Sequence, residues 1–163
     1  MSEAAANSHR NILLTVDDSS SSDNLLDYVV RNLYRQGDVV HVLHVIAPSR
    51  TLVVTPDMGL DGVIEDDEET KRKVEQHAEE FIRERFEKRL ETMRIPYQVD
   101  IVRGCVDKDS IGALVCQRAE QVEAVAVVMA KHSRGPIKEF FIGSVTNYAC
   151  HHCKQPVLVL HCD

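Results

Sequence analysis

The residues best suited to chemistry lie between Val127 and Val145, in the stretch VVMAKHSRGPIKEFFIGSV. An apolar run passes there into a basic loop, and Gly143-Ser144 then opens a segment that predicts a helix. The first backbone N–H groups of a helix have no partner within it and lie at the positive end of the helix dipole. Because such amides bind anions, the stretch predicts a site for a phosphate-bearing ligand.

The loop contains three basic residues, although the net charge of the chain is −7. They are Lys131, Arg134 and Lys138. They would attract a phosphate, although an exposed ion pair adds only about 0–1 kcal/mol. Solvated loop charge is the alternative, and the sequence leaves both open.

The composition excludes several classes of protein. With 163 residues the chain is long enough for one domain with an ordinary core. Its acidity disfavours a nucleic-acid surface, and no run approaches the roughly 20 apolar residues of a membrane helix. Five cysteines without the spacing of a disulfide framework fit a reducing compartment. We therefore expect a cytoplasmic protein that contacts neither nucleic acid nor membrane.

Apolar runs alternate with helical periodicity along the chain. Five strands are predicted, beginning near Ile12, Asp38, Tyr97, Ala124 and Pro156. The first and the fourth are the most apolar, so these two should be adjacent and central in the sheet. Helices are predicted from the serine cluster to Gly37, over about Glu69 to Met93, after Ser110 and from Ser144. This alternation predicts a parallel sheet with helices on both faces. Ligands bind such sheets beyond the strand carboxyl ends, where the winding direction reverses.

The boundaries follow from the same patterns. Residues 1–9 predict a flexible tail and residues 10–163 the domain, with a long loop without regular structure over residues 49–68. The acidic block Glu65 to Glu69 is best explained as favourable charge at the start of the following helix.

Two groups of histidines and cysteines have the residue types of a metal or redox site, but their positions favour structural roles. His41 and His44 are three apart, which in a strand places them on opposite faces. The C-x-x-C pair Cys150 and Cys153 falls near the end of a helix, where the dipole disfavours a thiolate. Structural thiols are therefore the favoured interpretation, and a thiol or zinc sensor is the alternative.

The chain resembles the universal stress protein family from Asn11 to Leu160. The resemblance rests on NILLTVDDS, VLHVI, QPVLVL and the family's loop signature, Gly-x2-Gly-x9-Gly-Ser/Thr. The spacing is intact at Ala130, Ser133, Gly143 and Ser144, but two of the three glycines are replaced. The resemblance implies a single-domain, three-layer α/β/α sandwich of the adenine-nucleotide alpha-hydrolase-like type. Its five-stranded parallel sheet has the order 3-2-1-4-5.

The resemblance also implies the ligand, ATP or the related ADP or AMP, with Mg²⁺ accompanying it. On the adenine and ribose side it places Thr15, Asp17 and Val45, and on the loop side Met129, Ala130, His132, Ser133, Gly143, Ser144 and Val145. Capping of the turn is the alternative role of Asp17, and capping of the helix that of Ser144. If Ala130 and Ser133 had to be left-handed, each would cost about 1–2 kcal/mol; in ordinary backbone regions they would cost nothing.

The favoured function is a stress-response switch that binds an adenine nucleotide and works through a homodimer and a further signalling partner. The family pairs its last strand across the dimer, and Val157 to Leu160 is an apolar edge suited to that. No nucleophile with an oriented acid or base is evident, so at most slow ATP hydrolysis is expected. The alternative is a member that binds no nucleotide and acts by dimerisation or protein interaction alone.

Overall fold

The structure is a computed structural model that describes residues 9–47, 51–54, 61–64, 67–104, 111–131 and 143–161. In chain order the elements are β1 (Asn11–Thr15), α1 (Ser20–Tyr28), β2 (Val39–Ile46), β3 (Thr51–Val54), β4 (Asp61–Ile64), α2 (Glu68–Ile82), α3 (Lys88–Met93), β5 (Tyr97–Arg103), α4 (Ile111–Gln121), β6 (Ala124–Lys131), α5 (Ser144–His152) and β7 (Val157–His161). A π-helical turn extends α1 at Val29–Leu33, and another joins α2 to α3 at Arg83–Glu87.

Five parallel strands form the central sheet, in the order β5-β2-β1-β6-β7. Numbered among the parallel strands alone, this order is 3-2-1-4-5, so the predicted topology is confirmed. The two most apolar strands are adjacent and central as predicted, with pairing from Asn11↔Ala124 to Leu14↔Val128. The direction of winding therefore reverses between β1 and β6, which is where such a sheet places a ligand.

Each face of the sheet has its own apolar core. The alternation of β1 shows the division, since Leu14 belongs to the core under α1, α2 and α3, whereas Leu13 belongs to the core under α4 and α5. Phe86 and Leu90 are fully buried in the first core, and Ala119 is fully buried in the second. No described helix is both long enough and apolar enough to span a bilayer.

The predicted helix over about Glu69 to Met93 is confirmed as α2, the π turn and α3. Its N-cap is Asp67, whose carboxylate accepts a hydrogen bond from the Thr70 backbone N–H at 2.7 Å. Glu68 and Glu69 occupy the first turn, where negative charge is favourable, so this part of the acidic block has its predicted role.

The segment predicted as a loop over residues 49–68 contains two short strands, which corrects that prediction. β3 and β4 pair antiparallel, from Thr51↔Ile64 to Val54↔Asp61. The sequence TLVV is rich in β-branched residues, which favour a strand even where the surrounding glycines and prolines indicate turns.

The turn after β1 is tied by charge to α2 and to the π turn that follows it. The Arg85 guanidinium donates to Asp18 at 2.6 Å, to Asp23 at 2.7 Å and to the Ser19 carbonyl at 2.5 Å. His77 on α2 also contacts Asp18, at 3.0 Å. These contacts hold the carboxyl end of β1 against the helical layer.

Candidate functional site

A cavity of about 180 Å³ opens at the carboxyl ends of β1, β2 and β6, with α4 and α5 at its side. It lies at the predicted reversal of winding. Small-molecule sites usually measure about 300–1,000 Å³, so the cavity that the described residues form has room for only part of a nucleotide.

The structure brings most of the predicted site residues together here. Six of them, from four separate parts of the sequence, line the cavity: Thr15, Asp17, Val45, Met129, Ala130 and Val145. Lys131 ends β6 beside them. The predictions for His132, Ser133, Arg134 and Lys138 lie outside the described residues. The role of all these residues as nucleotide ligands remains a prediction.

Asp17 is fixed by the turn that it caps. Its Oδ1 accepts hydrogen bonds from the Ser19 backbone N–H at 3.0 Å, the Ser19 hydroxyl at 2.5 Å and the Ser22 hydroxyl at 2.9 Å. The Asp17 N–H donates in turn to Ser22 Oγ at 2.9 Å. Turn capping, the alternative named for Asp17, is therefore present. It is compatible with a ligand contact because a carboxylate has about four acceptor positions.

Thr15 links the two central strands at the edge of the cavity. Its hydroxyl donates to the Val128 carbonyl of β6 at 3.3 Å. A threonine at the end of β1 thus adds a hydrogen bond between the two central strands that a valine there could not make.

Ala130 resolves one question that the sequence left open. It lies in β6, pairs with Leu160 of β7 and has no left-handed backbone; among the described non-glycine residues, only Arg94 and Glu123 have positive φ. Its replacement of the family's glycine therefore costs no backbone strain. The methyl group does occupy the cavity wall, where Ala130 is only 3% exposed.

The helix α5 begins at Ser144, as predicted, but Ser144 does not cap it. Gly143 is the N-cap, with φ −54° and ψ 152° and no side-chain hydrogen bond to the first turn. Ser144 is the first helical residue and is exposed, so its predicted capping role is wrong. Its backbone N–H and that of Val145 belong to the first turn, where amides have no intrahelical partner.

Sequence reasoning missed six residues of the cavity wall. They are Val16, Leu43, His44, Ile111, Val115 and Thr146. Thr146 follows Val145 in α5 and is only 4% exposed. The predicted start of a helix at Ser144 was the only sequence signal that pointed to this position. Ile111 and Val115 come from α4, which no motif connected to the site.

The two histidines of β2 face opposite sides of the sheet, as predicted. The His44 Nδ1–H donates to the Val16 carbonyl at 2.8 Å, and the ring packs edge-on against Phe81 of α2 at 5.0 Å. His41 lies beside Arg118 of α4, at the other end of the sheet from the cavity, and its Nε2 is 3.2 Å from Asn11 Oδ1. Within the described ranges, no three His, Cys, Asp or Glu side chains are arranged to hold a metal ion.

The cysteines correct another prediction. Cys153 is not a free structural thiol, because it forms a disulfide with Cys116 of α4. Cys150 carries a free thiol and is exposed on α5. The two bonded cysteines are 37 residues apart, so local spacing gave no indication of the pair.

Comparison with known families gives one match over nearly the whole chain. The model of the universal stress protein family matches residues 8–161. The universal stress protein PHOS32 of Arabidopsis thaliana is 30% identical over 95% of this chain. The chain covers 66% of that relative, slightly less than two thirds of its length.

Solved structures share the fold at lower identity. A universal stress protein from Lactobacillus plantarum is similar with a TM-score of 0.66 at 20% identity, over 93% of this chain and 97% of that one. A universal stress protein in complex with cAMP has a TM-score of 0.62 at 15% identity, over 94% and 97%. A family member from Arabidopsis thaliana with AMP bound has a TM-score of 0.59 at 17% identity, over 94% and 92%.

Proposed function

Because this chain belongs to the universal stress protein family, we propose that it binds an adenine nucleotide in the cavity at the carboxyl ends of β1, β2 and β6. The supporting observation is that predicted residues from four separate segments line this one cavity. Two structures of the same fold hold cAMP or AMP. The proposed ligand of this chain is ATP, or the related ADP or AMP, with Mg²⁺ accompanying the phosphates.

In this proposal the base enters the cavity and the phosphates lie outside it. The wall offers apolar contacts at Val45, Met129 and Val145, which suit the faces of a purine. Asp17 would accept a hydrogen bond from the ribose, in addition to those within its turn. The cavity volume of about 180 Å³ is below that of a usual small-molecule site, which is consistent with a cavity that holds only the base.

The phosphates would bind at the start of α5. The backbone amides of Gly143, Ser144 and Val145 provide donors at the positive end of the helix dipole. Gly143 has open space where a Cβ would stand, so a phosphate has access to this turn. The basic side chains of Lys131, which ends β6, and of Arg134, which lies outside the described residues, would add long-range attraction.

A homodimer would transmit the nucleotide state to a signalling partner, in the cytoplasm and as part of a stress response. β7 is an edge strand of the sheet, and its residues Val157 to Leu160 are only half-buried. Unpaired edge strands that are apolar tend to pair with another chain. Light scattering of the wild type and of Val159→Lys tests this part, because a charge at the edge should convert the dimer to a monomer.

The second candidate function is a dimeric interaction module that binds no nucleotide. The observation in its favour is the Ala130 methyl group on the cavity wall, where the family signature has a glycine. Ala130→Gly distinguishes the two, because it adds space without relieving any strain. Nucleotide binding only after this substitution would establish the second candidate and refute the first.

The direct test of the proposed function is mass spectrometry of small molecules released from freshly purified protein, followed by titration with ATP, ADP and AMP. We expect saturable binding that Asp17→Ala weakens. Absence of both bound nucleotide and saturable binding would refute the proposal.

A further inference from the structure

The Cys116–Cys153 disulfide joins two helices that together form one side of the cavity. Cys116 lies on α4 directly after the wall residue Val115, and Cys153 directly follows α5. At its other end, α5 provides the wall residues Val145 and Thr146. The cross-link is thus attached to both elements that close this side.

A close helix contact lies one turn away from the disulfide. A Cβ on Gly112 would be 2.7 Å from the Cβ of Tyr148, so α4 and α5 approach each other closely at this point. Gly112 and Cys116 are four residues apart and therefore lie on the same face of α4. The disulfide and this contact together fix how α4 lies against α5.

The loop that the disulfide closes contains the whole predicted phosphate-binding region. The two cysteines are separated by 37 residues, a span that includes β6, residues 132–142 and α5. A cross-link restricts the conformations that such a segment can adopt. The oxidised chain should therefore hold its α4–α5 wall in one arrangement more often than the reduced chain does.

The bond is placed where thiols can reach it. Cys116 and Cys153 are half-buried rather than buried, and the free thiol of Cys150 is exposed three residues before Cys153. Thiol–disulfide exchange requires access of an attacking thiolate to one of the bonded sulfurs. Both bonded residues are partly exposed and pack at the edge of the second core rather than inside it.

We propose that Cys116–Cys153 is a reversible redox site, reduced by a protein dithiol, that locks the α4–α5 wall of the cavity when it is oxidised. A thiolate of the dithiol attacks Cys153 Sγ, the bond to Cys116 breaks, and Cys116 leaves as a thiolate that takes up a proton. The second thiol of the reductant then attacks the mixed disulfide and releases Cys153. The reductant ends as a disulfide, and this chain ends with two thiols. The reverse exchange, in which the disulfide form of such a dithiol protein is the oxidant, restores the Cys116–Cys153 bond.

The consequence for the ligand rests on the proposed function. A wall that is already ordered lowers the entropic cost of binding, so the oxidised form should bind nucleotide more tightly. Coupling between two sites typically changes affinity at least about fivefold. We therefore expect the Kd for ATP to differ at least about fivefold between the oxidised and the reduced form.

The test compares the full chain in its oxidised form with the same chain reduced by a thioredoxin-type dithiol. Alkylation and peptide mass spectrometry identify the pairing, and hydrogen exchange measures the order of α4 and α5. We expect a linked Cys116–Cys153 peptide that disappears and reforms. Exchange in α4 and α5 should become at least about fivefold faster on reduction and in Cys116→Ser. Cys150→Ser, which leaves the Cys116–Cys153 pair intact, should behave as the wild type.

Different results overturn the different parts. Pairing of Cys116 with another cysteine, an irreversible bond, or equal exchange of the helices in both forms would refute the redox site. Equal ATP affinity of the two forms would refute its control of the cavity. If neither form binds nucleotide, the proposed function fails, whereas a redox-dependent difference in helix exchange would still support the redox site.

Discussion

Gly143→Ala separates a binding role of the α5 N-terminus from a structural one. The backbone of Gly143, at φ −54° and ψ 152°, is one that alanine adopts freely, and an added Cβ would meet no atom within 4 Å. Alanine reduces the entropy of the unfolded chain, which stabilises by about 0.4–1 kcal/mol. Alanine is also a poorer N-cap than glycine, and this difference destabilises the folded state by a similar amount. The free energy of unfolding should therefore change by less than about 1 kcal/mol, or about 2–4 °C in Tm.

Nucleotide affinity should respond much more strongly. In the proposed site a phosphate lies against the Gly143 and Ser144 amides, and a methyl group at residue 143 would displace it. Loss of one hydrogen bond to a charged group costs about 1.5–3 kcal/mol, which corresponds to about tenfold to 150-fold in Kd. Calorimetric titration with AMP and with adenosine tests this. Adenosine lacks the phosphate, so its affinity should not change.

Two results would refute this reasoning. Unchanged AMP affinity would show that no phosphate contacts Gly143. An equal loss for AMP and adenosine, or a Tm drop well beyond the expected range, would show that the substitution disturbs the fold rather than the phosphate.

Three further predictions follow from the described contacts. Gly112→Ala places a methyl group 2.7 Å from Tyr148 Cβ, so overpacking of about 1–3 kcal/mol, offset by about 1 kcal/mol of helix propensity, should lower Tm. An equal effect in a Tyr148→Gly background would contradict this cause. Replacing Cys116 and Cys153 with serine should lower the free energy of unfolding in urea by about 4 kcal/mol, from the 37-residue separation. Cys150→Ser should leave the free energy of unfolding nearly unchanged. An equally small change in the Cys116 and Cys153 variant would contradict a stabilising disulfide. Burial lowers the pKa of His41 below 6.5; Asp100 opposes this shift and Arg118 adds to it. The folded chain then binds fewer protons than the unfolded chain, so the contribution to stability is complete above pH 6.5 and declines as the pH falls towards the folded pKa. His41→Gln should flatten this decline, and an unchanged pH profile would show that His41 is not its source.

The sheet could be predicted because its central strands are nearly continuous apolar runs. Leu13 and Val127 are fully buried in β1 and β6, and such burial on both faces is what the runs predict. Strand adjacency and the place of the ligand then follow from general rules for parallel sheets. The convergence of Asp17, Val45 and Ala130 on one cavity was predictable from the family resemblance.

Other features depend on tertiary contacts that no local pattern encodes. The Cys116–Cys153 pair arises only when α4 packs on α5, and Val115 reaches the cavity for the same reason. The start of α5 at Ser144 was predicted correctly, but its N-cap was not, because Gly143 and Ser144 are both acceptable N-caps. β3 was missed because the turn-forming residues that flank Thr51–Val54 outweighed its short β-branched run.

Chemical-shift mapping of the full chain during titration with AMP and with ATP and Mg²⁺ is the most direct test of the proposed nucleotide site. We expect saturable shifts for the amides of Val45, Ala130 and Val145, at the carboxyl ends of the strands. We expect none for His41 and Gln98, which lie at the opposite end of the sheet. No saturable shift, or shifts centred on His41 and Gln98, would contradict the proposed site.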